Sequence, residues 1–353
     1  MPVVTVCNHK GGTGKTTTSI HLAAAFGRQG RRVLVVDFDP QGFLSRMLGA
    51  EEPTPEHSAL GLLAADADLR TFPVQTVSGF DLIGSSMALT KALRRLTKPT
   101  DVLWLRETVR AGHDYDVILL DTAAALSPYT MNALVASDQV VIPVTPEYQP
   151  VVGAEQTWQT SGLVKDKLNP ALKTPRFLLT QVDARLTRHA RYATYLREKY
   201  RDAVLSTAIR TSSSLAVASR DGRTVFDAPR PTRGAVDYTA AADELARIVF
   251  GETPAPVVAP TTGPETVPAE SSAPTPAAPP AQPPPATRRA VQAIASPSPN
   301  PDAQNREGAL AVPPLKAAPV VPAPSPIHRA PRPGDSPRPD GAARTGWTPL
   351  DRL

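Results

Sequence analysis

One glycine-rich segment near the N-terminus carries the residue types best suited to chemistry. Residues 8–18 combine glycines, two lysines and a run of threonines, between an apolar run and a segment with helical spacing. Glycines let backbone N–H groups converge on phosphate oxygens, and the following helix adds its positive dipole end. Lys15 is therefore expected to reach the β- and γ-phosphates of ATP, and the Thr16 hydroxyl to ligate Mg²⁺. The residues predicted to bind the nucleotide here are Gly11, Gly12, Thr13, Gly14, Lys15, Thr16 and Thr17.

Alternating strands and helices are predicted to hold this loop. Short apolar runs typical of buried parallel strands cover 3–7, 32–37, 80–84, 117–121, 139–144 and 176–180. Helical spacing covers 15–29, 91–111, 150–168, 187–200 and 237–250. The alternation predicts an α/β fold, with a mostly parallel β-sheet flanked by helices on both faces. Ligands of such sheets bind at the carboxyl ends of the strands, where the loop, Asp37, Asp39 and Asp121 all fall.

The C-terminal part of the chain differs in composition from the rest. Of the 40 prolines, 26 follow Gly251, and Trp347 is the one aromatic residue of that stretch. Such a segment cannot bury enough apolar surface to offset its ordering entropy. We therefore predict a globular domain over residues 1–250 and a disordered Pro/Ala-rich tail over 251–353. The tail is expected to be a flexible spacer or a docking tether, with Trp347 and Leu350 as its anchor-like residues.

Positive charge is concentrated in one part of the globular region. Residues 176–233 hold 12 lysines and arginines against five acidic residues, whereas residues 1–250 as a whole hold 29 against 25. A localised positive surface indicates a polyanion partner, and phosphate contacts would give non-specific DNA binding. A solvated basic face without a partner is the alternative. The candidate DNA-binding residues are Arg185, Arg188, Arg191, Arg197, Lys199, Arg201, Arg210, Arg220 and Arg223.

Cysteine content and hydropathy restrict the class of protein. The single cysteine, Cys7, excludes an internal disulfide and an all-cysteine metal site, and its apolar surroundings predict a buried side chain. No signal peptide is recognisable, and no apolar run reaches the roughly 18–20 residues that span a bilayer. A cytoplasmic protein without a membrane partner is expected. The first apolar run starts at Pro2 or Val3, so no helix-turn-helix and no operator-specific DNA binding are expected.

The phosphate loop departs from the ordinary G-x-x-x-x-G-K-[ST] pattern at one position. His9 stands where the first glycine is expected, and a second lysine, Lys10, follows it. The run from Lys10 to Thr17 resembles the deviant Walker A motif of the ParA/MinD family of P-loop ATPases. In that family the extra lysine reaches across a dimer interface to the phosphates of the partner's ATP. The resemblance gives this catalytic role to Lys10, beside Lys15; a solvated loop lysine is the alternative.

Two aspartates extend the resemblance. Residues 35–42 are similar to the family's second motif, in which the second aspartate positions the attacking water; here that residue is Asp39. Asp37 would support Mg²⁺ indirectly, and capping of a helix is the alternative for Asp39. Residues 117–122 resemble a Walker B strand, with Asp121 holding Mg²⁺ through a water. The chain departs from the family after Asp121, where Ala123–Ala125 replace the usual pair of prolines.

Two weaker matches follow further along the chain. Residues 142–148 resemble the family segment near the nucleotide and the dimer interface, which makes Glu147 a candidate for the nucleotide site. Residues 178–183 resemble the stretch near the adenine.

Three branches of the family differ in sequence. Nitrogenase iron proteins need more cysteines for their shared cluster than Cys7 supplies. MinD-type proteins end in a short amphipathic membrane helix, which the Pro/Ala-rich tail does not resemble. Partition ATPases of the ParA type bind DNA non-specifically as ATP-bound dimers, and the basic segment 176–233 fits this branch.

The resemblance therefore implies a ParA-type partition ATPase with ATP and Mg²⁺ as cofactors. It implies an ATP-bound homodimer, association with nucleoid DNA in the cytoplasm, and slow hydrolysis that a ParB-like adaptor stimulates. The cargo is DNA or a protein cluster. Two other functions stay open. One is an ATP-switched regulatory or scaffold protein with little turnover, which Ala123–Ala125 and the tail favour. The other is a small-molecule ligase on the same fold, for which the sequence offers no clear signature.

Overall fold

The computed structural model describes residues 1–64, 67–96 and 98–251. Within them the strands are β1 (Val3–Val6), β2 (Val33–Asp37), β3 (Gln75–Val77), β4 (Phe80–Ile83), β5 (Val117–Asp121), β6 (Gln139–Val144), β7 (Arg176–Val182) and β8 (Val204–Arg210). The α-helices are α1 (Lys15–Arg28), α2 (Phe43–Met47), α3 (Ala88–Ala92), α4 (Trp104–Arg110), α5 (Pro128–Ala136), α6 (Tyr148–Lys167), α7 (Thr187–Tyr200), α8 (Ser213–Arg220) and α9 (Arg233–Phe250).

These strands form one sheet in the order β3-β4-β2-β5-β1-β6-β7-β8. Every pair of neighbours is parallel except β3 and β4, which are antiparallel. Every residue of β1, β2, β5 and β6 is buried, so the unbroken apolar runs of the sequence become the centre of the sheet. The carboxyl ends of these strands meet at one edge, and that edge is where the candidate residues lie.

Helices cover both faces of the sheet because alternate side chains of each strand point in opposite directions. In β2, Val35 belongs to the same apolar cluster as Phe26 of α1 and Leu245 of α9. Its neighbour Leu34 belongs to a cluster on the other face, together with Tyr129 of α5. A third cluster joins β6 and β7 to α6 and α7. The predicted α/β architecture is confirmed.

Most predicted elements agree with the structure, but one predicted helix is wrong, and the short helix α2 and four other elements were not predicted. A single helix over 91–111 is wrong, because α3 ends at Ala92 and α4 starts only at Trp104, with 3₁₀ turns between them. Pro99 opens the second of these turns, and proline cannot continue a helix since it lacks the N–H group. The sequence patterns also missed the edge strands β3 and β8 and the helices α5 and α8. In β8 the buried run is broken by exposed Ser206, which weakens the strand signal.

Strand β8 forms one edge of the sheet, and α9 covers part of it. The register between β7 and β8 is irregular between Val204 and Ala208. Two consecutive amides in this bulge, those of Ser206 and Thr207, donate hydrogen bonds to the Glu244 carboxylate of α9 at 2.7 and 2.9 Å. The irregularity therefore leaves these two donors with a partner from outside the sheet.

Three other predictions concern Cys7, membrane-spanning helices and the C-terminal tail. Cys7 is fully buried, as predicted. No helix among the residues that the structure describes is both long and apolar enough to cross a membrane. The predicted tail, with Trp347 and Leu350, lies outside the described residues, which stop at Gly251, and it stays a prediction.

Candidate functional site

The phosphate loop connects β1 to α1 in a conformation that requires its glycines. Gly12 and Gly14 have φ angles of 78° and 82°, in the left-handed region that disfavours other residues. Helix α1 begins at Lys15, directly after Gly14, so its free N-terminal amides face the loop. A Cβ added at Gly11 or Gly12 would meet no atom within 4 Å. This side of the loop is therefore open enough for a phosphate group to approach the backbone.

The side chain of Lys15 is buried against the backbone of the phosphate loop. It is 8% exposed, and its ammonium donates a hydrogen bond to the Lys10 carbonyl at 3.1 Å. Burial lowers the pKa of Lys15, and the nearby carboxylate of Asp121 acts in the opposite direction. A buried ammonium held by one neutral carbonyl is well placed to pair with an anionic ligand.

Buried carboxylates and hydroxyls meet below the loop. Thr16 Oγ1 donates to Asp121 Oδ2 at 2.8 Å, and Ser19 Oγ donates to Asp121 Oδ1 at 2.8 Å. Asp37 stands beside Asp121 in the register of β2 and β5, and both are 0% exposed. Burial raises the pKa of Asp121 to about 6. Burial and the charge of Asp121 also raise the pKa of Asp37 above its usual range.

This donor set fits a hard divalent cation. Adjacent carboxylates in a buried position need a compensating positive charge, and oxygen ligands are those that Mg²⁺ prefers. Ser19 was missed from the sequence, although its place three residues after Thr16 on α1 puts both hydroxyls on one helix face.

The loop after β2 places Asp39 next to this centre. Asp39 is half-buried, and its amide donates to Asp37 Oδ1 at 3.1 Å. Ser85, which follows β4, donates from its hydroxyl to the Asp39 carbonyl at 2.7 Å. The Asp39 carboxylate accepts from the amide of Gln41 at 2.9 Å, and it does not cap α2, whose N-cap is Gly42. The capping alternative for Asp39 is therefore not what the structure contains.

The end of β7 supports the loop from the other side. Thr180 Oγ1 donates to the Thr13 carbonyl at 2.8 Å, and Gln181 Nε2 donates to the Gly12 carbonyl at 2.7 Å. A cavity of about 250 Å³ opens beside this contact, and its lining includes Tyr238. The segment 178–183, which the resemblance assigns to the adenine side, thus adjoins both the loop and a cavity.

Glu147 contacts helix α7 through its carboxylate. It is the N-cap residue of α6, and its carboxylate accepts hydrogen bonds from Arg188 Nε and from His189 Nε2, each at 3.3 Å. His189 Nδ1 accepts from the Asp183 amide, so the neutral ring donates from Nε2. The structure brings Glu147 together with α7, and none of its hydrogen bonds to a described residue reaches the loop.

The candidate DNA-binding arginines and lysine are all exposed, but their surroundings differ. They lie on α7 and its flanking turns and on the segment from the end of β8 to the turn after α8. Carboxylates pair with Arg185, Arg188, Lys199, Arg210 and Arg220. Arg197 donates to the carbonyls of Leu205 and Ser206. Within the described residues Arg191, Arg201 and Arg223 make no ion pair, so their charges are the most available to a polyanion.

Comparison with known proteins places this geometry in a family. A family model described as an AAA domain matches residues 1–174. Similar proteins include the sporulation initiation inhibitor protein Soj of Bacillus subtilis, 36% identical over 69% of this chain and 98% of that protein. The chromosome-partitioning ATPase Soj of Thermus thermophilus is 37% identical over 69% of this chain and 96% of that protein.

A solved structure agrees with these relatives in fold. Cobyrinic acid a,c-diamide synthase from Mycobacterium smegmatis, with a bound ATP analog and magnesium, has a TM-score of 0.61 and 28% identity. The match covers 71% of this chain and 97% of that chain. The identity to the relatives, their coverage and the two-lysine loop all agree: the chain belongs to the ParA/MinD family of deviant Walker A P-loop ATPases.

Proposed function

We propose that this chain is a partition ATPase that dimerises with ATP, binds DNA non-specifically and segregates or positions DNA or a protein cargo. The observation that carries the proposal is the phosphate loop with its second lysine. Lys10 makes no ion pair with a described residue, whereas Lys15 is buried against the backbone of the phosphate loop. Lys15 would therefore bind the nucleotide of its own subunit, and Lys10 would be available to the nucleotide of a second subunit.

Within one subunit the proposed roles follow from position. The backbone of residues 11–17 and the Lys15 ammonium bind the phosphates of ATP, which leaves the cavity beside Thr180 and Gln181 for the base. Thr16 and, through a water, Asp121 hold Mg²⁺, which offsets phosphate charge when it is bound. Asp39 orients the attacking water at the open side of the site. The carboxylate of Asp39 is half-buried and within its loop receives only the Gln41 amide, so it has acceptor capacity left.

Between subunits, the proposed ATP-bound dimer forms through Lys10 and presents the exposed arginines to DNA. Phosphate contacts from Arg191, Arg201 and Arg223 would hold DNA without reading its sequence. A ParB-like adaptor would stimulate slow hydrolysis and release the dimer from the nucleoid. The relatives with 36% and 37% identity support this assignment, since one of them is named a chromosome-partitioning ATPase.

A second candidate function is an ATP-switched scaffold with little turnover. It is favoured by the loop after Asp121, where Ala123–Ala125 carry no proline to stiffen the backbone. The end of this loop is fixed nevertheless, because Thr130 Oγ1 donates to the Ala125 carbonyl at 2.8 Å. A loop that is held at its end and free of prolines in the middle would couple less tightly to the γ-phosphate.

Two measurements on the 353-residue chain test the proposal. Binding to duplex DNA of arbitrary sequence is titrated against salt with ATP, with ADP and without nucleotide. We expect tight DNA binding only in the presence of ATP, and we expect the DNA affinity to fall steeply as the salt concentration rises. Equal binding in all three states would refute the ATP-gated dimer. ATP turnover is then measured with DNA and with the product of any neighbouring ParB-like gene; undetectable turnover under every condition would favour the scaffold.

A further inference from the structure

Helix α6 holds the segment that leads into the phosphate loop. The Thr157 hydroxyl, on the third turn of α6, accepts a hydrogen bond from the His9 amide at 3.0 Å and donates one to the Gly153 carbonyl at 2.9 Å. Thr157 is 0% exposed. Because a hydroxyl has one hydrogen to donate, this geometry fixes its direction and leaves a lone pair aimed at the loop backbone.

Asn8 holds the next amide along the chain. Its side chain is 0% exposed and accepts from the Lys10 amide at 2.9 Å through Oδ1. The Nδ2 group donates to the Pro143 carbonyl of β6 at 2.8 Å, so the amide group cannot turn without losing both bonds. The consecutive amides of His9 and Lys10 are therefore each held by a buried side chain that belongs to no phosphate-binding position.

Gly153 allows α6 to come this close. A Cβ built at Gly153 would lie 2.7 Å from Lys10 Cβ, 2.8 Å from Asn8 Oδ1 and 3.0 Å from the Lys10 nitrogen. These are distances at which atoms must move apart, and the atoms belong to backbone and to a buried amide rather than to a flexible side-chain end. The helix thus packs directly against the Cα–Cβ unit from which the Lys10 side chain leaves.

The two parts of the loop are therefore held by different elements. The contacts of Asn8 and Thr157 reach the amides of His9 and Lys10, and the Lys10 carbonyl in turn accepts from the Lys15 ammonium, whereas the carbonyls of Gly12 and Thr13 are held by β7. Gly11 and Gly12, between these supports, have open space beside their Cα atoms. A perturbation on α6 should thus act on Lys10 before it acts on the phosphate-binding amides.

We infer that Asn8 and Thr157 are positioning residues for Lys10, and that Gly153 gives α6 the close approach which they need. They fix the direction in which the Lys10 side chain extends from its own subunit. This inference rests on the proposed function, in which that ammonium contacts the nucleotide of a second subunit. The contact costs the entropy of the four rotatable side-chain bonds of Lys10. Because its Cα–Cβ vector is already fixed, the contact does not also cost backbone entropy.

The test compares Thr157→Val, which keeps the shape and removes the hydroxyl, with Thr157→Ser, which keeps the hydroxyl. For each variant, ATP affinity is measured with a fluorescent ATP analogue at subunit concentrations that disfavour dimers. ATP-dependent dimerisation is measured by sedimentation. For Thr157→Val we expect dimerisation weakened by about 10-fold and ATP affinity changed by no more than about 2-fold, since one buried hydrogen bond is lost away from the phosphate side. Thr157→Ser should restore dimerisation.

Lys10→Ala is the reference that separates this inference from the proposed function. If Lys10→Ala dimerises normally, the cross-subunit role in the proposed function is wrong. If Lys10→Ala fails to dimerise while Thr157→Val behaves like the parent chain, the positioning inference is wrong. Equal losses of ATP affinity and dimerisation in Thr157→Val would also overturn it, because the hydroxyl would then support the whole loop.

Gly153→Ala tests the same inference while keeping every hydrogen-bonding group, because the added Cβ displaces the Asn8–Lys10 contact by its volume. The added methyl pushes on Lys10 and Asn8, so dimerisation should again fall while ATP affinity is retained. Thermal unfolding followed by circular dichroism shows whether each variant is folded. If Thr157→Val does not fold, Gly153→Ala decides, and dimerisation at the parent level in that variant would refute the inference.

Discussion

The buried histidine of α1 leads to a quantitative prediction on stability. His21 is 1% exposed and stacks on Tyr238 of α9 with ring centroids 4.9 Å apart. Its Nδ1 lies 2.7 Å from the Thr17 carbonyl, and its Nε2 lies 3.2 Å from the Val225 amide. A carbonyl only accepts and an amide only donates, so the ring is neutral with its proton on Nδ1. Protonation of Nε2 would place its N–H group opposite the Val225 N–H group, and two donors cannot form a hydrogen bond.

Burial therefore lowers the pKa of His21 from 6.5 to about 4, against the Thr17 carbonyl and Asp227, which favour the charged ring. The unfolded chain takes up this proton near pH 6.5, whereas the folded chain does so only near 4. Between these values the unfolded state binds more protons, so the free energy of unfolding falls as the pH falls. The difference between the two pKa values corresponds to roughly 3 kcal/mol in total, of which about 2.5 kcal/mol is lost by about pH 4.5.

The measurement is urea unfolding of the parent chain and of His21→Gln, followed by far-UV circular dichroism from about pH 7.5 to about pH 4.5. Glutamine stays neutral throughout, so other titrating groups cancel in the comparison. At neutral pH the parent should be the more stable chain, and its advantage should shrink by about 2.5 kcal/mol at the acid end. An advantage that stays constant over this range would show that the ring is not held neutral between α1 and Val225.

Four further predictions concern the nucleotide site and the exposed arginines. Lys15→Ala should weaken ATP binding by at least about 100-fold, because a buried charge-assisted contact is lost, and near-normal binding of a fluorescent ATP analogue would contradict this. Asp39→Ala should bind ATP but hydrolyse it about 100-fold more slowly, so that the dimer stays on DNA; turnover at the parent rate would exclude a role in orienting water. Arg191→Ala removes one arginine from each subunit of the dimer, so it should reduce the log–log slope of DNA affinity against salt by about two units while thermal stability is unchanged. Arg210→Ala should instead lower thermal stability, since it removes the guanidinium from the buried Asp237 carboxylate and leaves it only the backbone amide of residue 210; equal unfolding temperatures of the two arginine variants would refute this distinction.

The agreement between sequence and structure is best where local chemistry determines geometry. The left-handed backbone angles at Gly12 and Gly14 favour glycine, and Asp39 and Asp121 lie at the ends of short apolar runs that predict buried strands. The positions of the loop, Asp39 and Asp121 at one edge of the sheet could therefore be predicted from sequence spacing alone. The helix predicted over 91–111 is wrong because Pro99 interrupts the apolar periodicity, and its effect on the backbone is stronger than that periodicity.

Contacts between elements distant in sequence could not be predicted from patterns. Thr157 is one of two threonines on α6, and only the tertiary structure shows that its hydroxyl holds the His9 amide, 148 positions earlier. Ser85 carries no signal of its contact with Asp39. The resemblance assigns Glu147 to the nucleotide site, which stays a prediction; its contact with Arg188 of α7 depends on tertiary structure that no local pattern shows.

The carboxylate that caps the bulge of β8 has a consequence for solubility. Unpaired amides on an outer strand are a template for strand addition by another chain, which leads to aggregation. Here the amides of Ser206 and Thr207 are already bonded to Glu244, and these bonds, acting against burial, lower the pKa of Glu244. An incoming strand would have to displace a charged acceptor before it gained its first hydrogen bond. The same helix that completes the core thus also closes this edge of the sheet to self-association.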